Sequence, residues 1–367
     1  MRKTVFHFFL FGMTVLAAAS SSHAASFEYM YGQLRPTAEV VPASAVEPLA
    51  WVDESDDQVA LTSFFDRISG GKGDDGKDGD GKGGKGCGDD CVGNWRDNTQ
   101  VLVGFDTYKS LGDTIPPPGF VAGYMNSAGV VAGFNTGVRL GDSRVRGQLG
   151  ASYGIYDWKG RDTTSPSSSE QQTFVTAGLY KRSDVCCGDR ISWGVVYDQF
   201  FGHQWGVFAN EVYLNQFRGI FGYALNECNE VGVWGTVHTN TDGTAFAITP
   251  PPIRAMNQAN AYWRHNWEFG GSTMAYVGAV DQADVASWIL GLNGQAPLSD
   301  RVSLYGNTTF ALPGSGTGSV GSNELQWNVG FGLSVSLGGK AVSRTVSGNK
   351  GLPLLPVANN GSFLITN

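Results

Sequence analysis

The fold class this sequence predicts is all-β: an antiparallel, up-and-down transmembrane β-barrel of about twelve strands preceded by a disordered arm. Three observations predict it. The stretch Glu324 to Leu337 alternates strictly, with Leu325, Trp327, Val329, Phe331, Leu333, Val335 and Leu337 apolar and Gln326, Asn328, Gly330, Gly332, Ser334 and Ser336 small or polar between them. Successive side chains of a strand point to opposite faces, so this segment has an apolar face and a polar one, and it exceeds the roughly 9 to 11 tilted residues that span a bilayer. From Thr99 onward the same texture recurs in segments of 9 to 14 residues separated by turn residues. The connections between them alternate in length, a regularity independent of the strand pattern.

The composition agrees. The chain has 367 residues, enough for one large β domain and a tail, with 52 glycines, 12% aromatics and only 16% charged residues. A net charge of -8 offers no basic surface, and no basic patch with interleaved aromatics occurs, which excludes nucleic acid as a partner.

Along the chain, Arg2 and Lys3 precede an apolar run from Val5 to about Ala19, and Ser22-His23-Ala24 places small residues before Ala25. That is a secretory signal, residues 1–24, too short for a spanning helix. After it no apolar run approaches spanning length, so an exported chain that enters a membrane does so as a barrel. Residues 25–95 form a periplasmic arm, largely disordered. Asp53 to Ile68 could make one amphipathic helix, burying Val59, Leu61, Phe64, Phe65 and Ile68. Gly70 to Gly86 is almost wholly Gly, Asp and Lys and reads as a flexible linker: its aspartates do not have EF-hand spacing and its glycine triplets are too few for collagen.

The barrel occupies 96–340, with strands expected near 99–108, 128–140, 144–156, 170–182, 190–200, 211–224, 230–239, 257–267, 272–281, 286–294, 301–311 and 324–338. In the third, Leu149, Tyr153 and Ile155 face lipid while Gln148 and Ser152 face the lumen; in the seventh, Val233 and Val237 face out and Trp234 and Thr236 face in. Trp193, Tyr197, Trp267, Trp288 and Trp327 on apolar faces suit an interfacial girdle. Short turns follow at 141–143, 183–189, 225–229, 268–271 and 295–300, and longer loops at 109–127, 157–169, 240–256 and 313–323; the 282–285 connection is short where a long loop is expected. A secreted β-sandwich is the competing architecture, and the strand lengths and loop alternation count against it.

With its clearest strand at Glu324 to Leu337 and glycine-rich segments such as Ala128 to Leu140, the chain from about Thr99 to Gly338 resembles the outer-membrane β-barrel proteins of Gram-negative-type envelopes, in an uncharacterised envelope-barrel family. The resemblance implies a cell outer-membrane location, with outer-membrane lipid and the barrel assembly machinery as partners. Such barrels keep short periplasmic turns and long external loops, which puts both termini in the periplasm. One departure stands out. These proteins end on an aromatic residue closing the last strand, whereas here the strand closes at Leu337 and a tail, 341–367, runs on; its Phe363-Leu364-Ile365 is in a position to take that part.

Little chemistry is visible. No HExxH, GxSxG or paired Cys-x-x-Cys signature occurs, and no catalytic residue, cofactor or metal site is assigned; the chain is read as a non-enzyme. His238, beside Asn240 and Asp242 at a lumen rim, has a catalytic position but no nucleophile at a telling distance, and a lone lumenal histidine is ordinarily a satisfied polar group. The lumen-facing charges are Asp106, Arg144, Arg146, Asp198, Arg218 and Arg264, which either brace the wall as ion pairs or line a constriction; bracing is favoured, because an unpaired charge there is costly. The cysteines are Cys87, Cys91, Cys186, Cys187 and Cys228, all on the periplasmic side of this topology. An oxidising compartment favours disulfides, and Cys228 is expected to bridge to Cys186 or Cys187, with the other turn cysteine joined to Cys87 or Cys91.

The function these residues point to is a porin-like conduit for small hydrophilic solutes, with a non-conducting structural or adhesion barrel of the envelope as the alternative. Strand number does not separate the two, since about eight strands are filled by side chains and 16 to 18 leave a channel.

Overall fold

Alternation drives strand formation here because each strand must turn an apolar face to lipid and a different one to the interior. The computed structural model describes residues 98–114, 126–141, 143–157, 169–206, 210–243, 252–282, 285–314, 325–338, 341, 346 and 352–366. The signal segment, the helix expected over 53–68, the linker 70–86, and Cys87 and Cys91 lie outside them.

The wall consists of β1 (Thr99–Lys109), β2 (Ser127–Arg139), β3 (Arg146–Tyr156), β4 (Glu170–Lys181), β5 (Ile191–Trp205), β6 (Asn210–Ala224), β7 (Asn229–His238), β9 (Gln258–Asn266), β10 (Ser272–Val280), β11 (Ala286–Pro297), β12 (Val302–Pro313) and β13 (Gln326–Ser336). Sequential neighbours pair antiparallel, and β13 returns to β1 with Phe105 opposite Phe331, closing a twelve-stranded barrel. Closure leaves no unpaired edge among the wall strands, the condition for putting a sheet into lipid. The strand count and order agree with the sequence reading. β5 is longer than expected: it continues to Trp205 through a register shift between Gly202 and Trp205, and the chain turns back through Gly206 at φ 70°.

Phe105, Phe331, Val233, Val237 and Trp288 are each more than half exposed on the outer face, while Asn328, Asp198, Gln216 and Glu230 are fully buried on the inner one. This inverts the arrangement of a water-soluble protein, and it is what a wall immersed in lipid requires. The outer aromatics cluster across strands, with Phe105 and Phe331 rings 5.7 Å apart. At the end of the barrel where β1 begins, the turns are short; one is a 3-10 turn, Val185–Cys187, closed by Gly188 at φ 78°. At the other end a helical turn, α1 (Leu111–Thr114), follows β1, with Asp113 Oδ2 accepting from the Ser110 N–H at 2.9 Å.

The tail departs from the sequence expectation. After β13 it crosses the short-turn end, where the Ala341 N–H donates to Asp300 O at 2.6 Å and the Val346 N–H to Glu227 O at 2.7 Å. Residues 352–366 then run up the inside of the barrel. They finish at the opposite end, where β14 (Ile365–Thr366) pairs with β8 (Arg254–Ala255), a short segment just before β9. The last described residues therefore sit at the other end of the barrel from the start of β1. Phe363, Leu364 and Ile365 are buried in the interior and do not close the last strand. Tail and wall share two apolar clusters. One joins Leu354, Leu355 and Leu364 to Tyr180, Trp234, Met256 and Tyr276; the other joins Val357, Ala358, Phe363 and Ile365 to Phe174, Phe200, Trp205 and Leu214.

Candidate functional site

The inner wall and the tail it encloses form the candidate site. Each wall strand presents every second residue inward, so the polar residues of twelve strands converge on one axis. At mid-height on β5 and β6, Arg218 Nε and Nη2 donate to the two oxygens of Asp198 at 2.8 and 3.0 Å, with both side chains buried. Asp198 also accepts from Thr176 Oγ1 at 2.7 Å. A bidentate pair of this kind offsets the desolvation of two charges, and the guanidinium still has a donor for the Pro356 carbonyl at 2.8 Å.

Near the short-turn end, Arg264 donates to Glu230 at 2.9 Å, and Tyr262 and Ser192 donate to the same carboxylate at 2.7 and 2.8 Å. Toward the other end, Asp106 accepts from Asn328 at 2.6 Å, Tyr156 at 2.9 Å and the tail residue Asn360 at 3.1 Å. Above it, Glu170 accepts from Tyr108 and, at 2.6 Å, from Gln172.

The structure thus puts Asp106, Asp198, Arg218 and Arg264 inside the barrel, the last three in ion pairs. Arg146 begins β3, half-buried at the barrel end. Arg144 does not line the lumen. It lies in the exposed turn before β3 and pairs with Asp189 of a neighbouring turn at 3.2 Å, because the strand starts two residues later than expected. Lys181 also reaches Asp189, at 2.7 Å. Burial raises the affinity of Asp189 for a proton, but the hydrogen bonds from Lys181 and the Ile191 N–H outweigh it and hold the carboxyl below its ordinary range. His238 stands at the long-loop end, with Nδ1 2.8 Å from Asn257 Oδ1 and 3.3 Å from the Arg254 guanidinium. Cys186 and Cys187 lie in the 3-10 turn and Cys228 in the β6–β7 turn, at the same barrel end. Cys228 is a free thiol, so the bridge expected from it to Cys186 or Cys187 is not made.

The tail's place in the lumen is what sequence reasoning missed. The wall accommodates it in two ways. Glycines give it room: a Cβ on Gly150 would stand 2.6 Å from Val357 Cγ2, and one on Gly361 of the tail 2.4 Å from Thr309 Oγ1. Side-chain amides meet its backbone: Asn135 and Gln148 donate to Leu355 O at 3.0 and 2.7 Å, Gln216 and Gln258 to Ser362 O at 3.1 Å each, and Gln326 to Ile365 O at 3.0 Å. A signal was present. The lumen face is richer in uncharged amides than in charges, and a dry interior lined with amides needs partners.

A turn at Asn359 folds the tail within the lumen, with Asn359 Oδ1 accepting from the N–H groups of Gly361 and Ser362 at 3.1 and 3.0 Å. On the outer wall a separate concavity of about 300 Å³ is lined by Tyr153, Phe201, His203, Glu211 and Tyr213, with His203 Nδ1 paired to Glu211.

Residues 95–365 match the family of unknown function DUF6666, and the chain belongs to it. No curated protein matches the chain. Among solved structures, the outer membrane phospholipase of Salmonella typhi, a dimer with bound calcium, is 12% identical over 65% of this chain and 90% of its own, with a TM-score of 0.38. The KdgM porin is 8% identical over 64% and 98%, with a TM-score of 0.34. The Pseudomonas putida toluene transporter TodX is 9% identical over 65% and 78%, with a TM-score of 0.33. Likenesses this distant carry no argument about activity.

Proposed function

We propose that this family member is an outer-membrane barrel held closed by its own C-terminal tail, a non-conducting structural barrel of the cell envelope in its resting state. The observation that carries the reading is the occupied lumen. A pore-lining side chain must meet water, yet the inward residues Gln172, Thr176, Asp198, Gln216, Glu230 and Asn328 have no exposure at all. The tail's Leu354, Leu355, Val357, Phe363, Leu364 and Ile365 are buried as well, each contributing about 1.5–3 kcal/mol of burial against an ordering cost of about 1–2 kcal/mol per residue.

What supports the membrane location is the outward apolar face; what supports short turns toward the periplasm is the contrast in connection length at the two ends. On this reading outer-membrane lipid surrounds the wall, and the barrel assembly machinery inserts it. The porin-like conduit keeps one specific support: without the tail, the inner wall would present Asn, Gln and ion-paired residues to the lumen beside its apolar patches, a partly hydrophilic passage. Conduction therefore belongs to a tail-out state.

Planar-bilayer recording tests this with the full chain and with a variant whose residues 347–350 are replaced by a protease site. The intact protein is expected to be silent, and cutting followed by washing out of the tail to give stepwise openings. Openings by the intact chain would refute closure.

A further inference from the structure

The bonds that hold the tail fall mostly on its backbone. Carbonyls of Leu352, Pro353, Leu355, Pro356, Ser362 and Ile365 all accept from wall side chains: Arg182 at 2.8 and 2.5 Å for the first two, then Asn135 with Gln148, Arg218, Gln216 with Gln258, and Gln326. Residues 352–366 carry no Asp, Glu, Lys or Arg, so no charge of the tail is read. Pro353 and Pro356 have no N–H, which suits a wall that mainly offers donors. Its side chains enter as two broad apolar groups, Leu354, Leu355 and Leu364 in one cluster and Val357, Phe363 and Ile365 in the other, and through two polar residues, Asn360 donating to Asp106 at 3.1 Å and Gln172 at 2.9 Å and Thr366 to Gln282 at 2.5 Å. Phe363 sits 5.8 Å from both Phe174 and Phe200.

A second observation is independent of those bonds. Gln148, Gln216, Gln258 and Gln326 are each at least nine-tenths buried and spend their amide nitrogen on the tail, yet their Oε1 atoms have no hydrogen-bond partner among the described residues. Four buried acceptors therefore stand beside the peptide path with capacity for N–H groups that the tail does not present. Bonds to a peptide's backbone give affinity whatever its side chains, while the pockets those side chains fill set the specificity.

We propose that the inner wall is a receptor for an uncharged, largely apolar peptide, that the tail is its tethered ligand, and that such a segment of a partner polypeptide takes the same channel when the tail withdraws. The proposal rests on the reading that the tail closes the barrel. The tether gives the tail a high effective concentration, so an outside peptide competes poorly until the tether is cut.

The test uses the full chain with the protease site at 347–350, folded with its tail in place, cut, and exposed to a fluorescently labelled synthetic peptide of residues 351–367. Expected is saturable uptake by the cut barrel and at least tenfold weaker uptake by the uncut one. A peptide with leucines, isoleucine and valine interchanged at 352, 354, 355, 357, 364 and 365 is expected to bind within about tenfold of the native sequence, while Leu355→Asp with Phe363→Asp abolishes binding. In a Gln148→Leu, Gln216→Leu barrel, affinity for the native and the interchanged peptide falls by the same factor. No uptake by the cut barrel, or uptake of the native sequence alone, overturns the receptor inference. Conductance separates the two readings. If cutting opens the pore but no peptide enters, the receptor inference fails and closure stands; if conductance never changes, closure itself fails.

Discussion

Replacing Arg218 by Met removes a guanidinium that makes both charge-assisted bonds to Asp198 and one to the Pro356 carbonyl. The methionine occupies similar volume, so the loss is electrostatic. Asp198 is left fully buried with Thr176 Oγ1 at 2.7 Å and Gln216 Nε2 at 3.4 Å as its remaining donors. Breaking a buried pair from one side costs about 3–5 kcal/mol, because the surviving charge has neither its partner nor water. The Pro356 carbonyl also loses a bond to a charged donor, which falls on the tail's attachment and is worth about 1.5–3 kcal/mol.

Urea unfolding of the micelle-embedded barrel, followed by tryptophan fluorescence, measures the first effect; protease sensitivity of residues 352–366 measures the second. Replacing both members, Asp198→Leu with Arg218→Met, is expected to recover at least about 2 kcal/mol of the single-variant loss, since no buried charge then remains. If Arg218→Met costs less than about 1 kcal/mol, the lumen is wet at that level, as only solvent could stabilise the stranded carboxylate, and the packed interior is refuted.

Three further outcomes follow from the geometry. Phe331→Arg puts a charge on the outer face of β13 and is expected to cost about 2–4 kcal/mol in a folding assay in lipid; a neutral result would mean that this face does not meet lipid. Asp189 titrates lower in the folded chain than its unfolded value of about 3.9, so its bonds to Lys181 and Arg144 stabilise fully above that value and are lost as pH falls through the folded one; Asp189→Asn should flatten that part of the urea midpoint's acid dependence, and an unchanged slope would count against it. A variant retaining Cys228 as its one cysteine should resist a membrane-impermeant maleimide on intact cells and react once the outer membrane is permeabilised, and labelling of intact cells would invert the proposed orientation.

The wall was legible in the sequence because its signal is local. A strand's period is two residues, and lipid on one side and polar neighbours on the other enforce it along each of the twelve strands, so Glu324 to Leu337 or Val231 to Val237 declares its faces without knowledge of any partner. Boundaries were less secure where irregular backbone intervened. β5 runs on past its expected end to a register shift between Gly202 and Trp205, and Arg144 reads as inward only if the third strand starts before Arg146. The tail was not legible, for the same physical reason in reverse. Residues 352–366 have no helical or two-residue period, and they are ordered by side chains remote in the chain, Asn135 and Gln148 lying 220 and 207 positions from the Leu355 carbonyl they share. The residue alternation that makes a closed wall is written into each strand, but what fills the space inside exists only after twelve strands have closed around it.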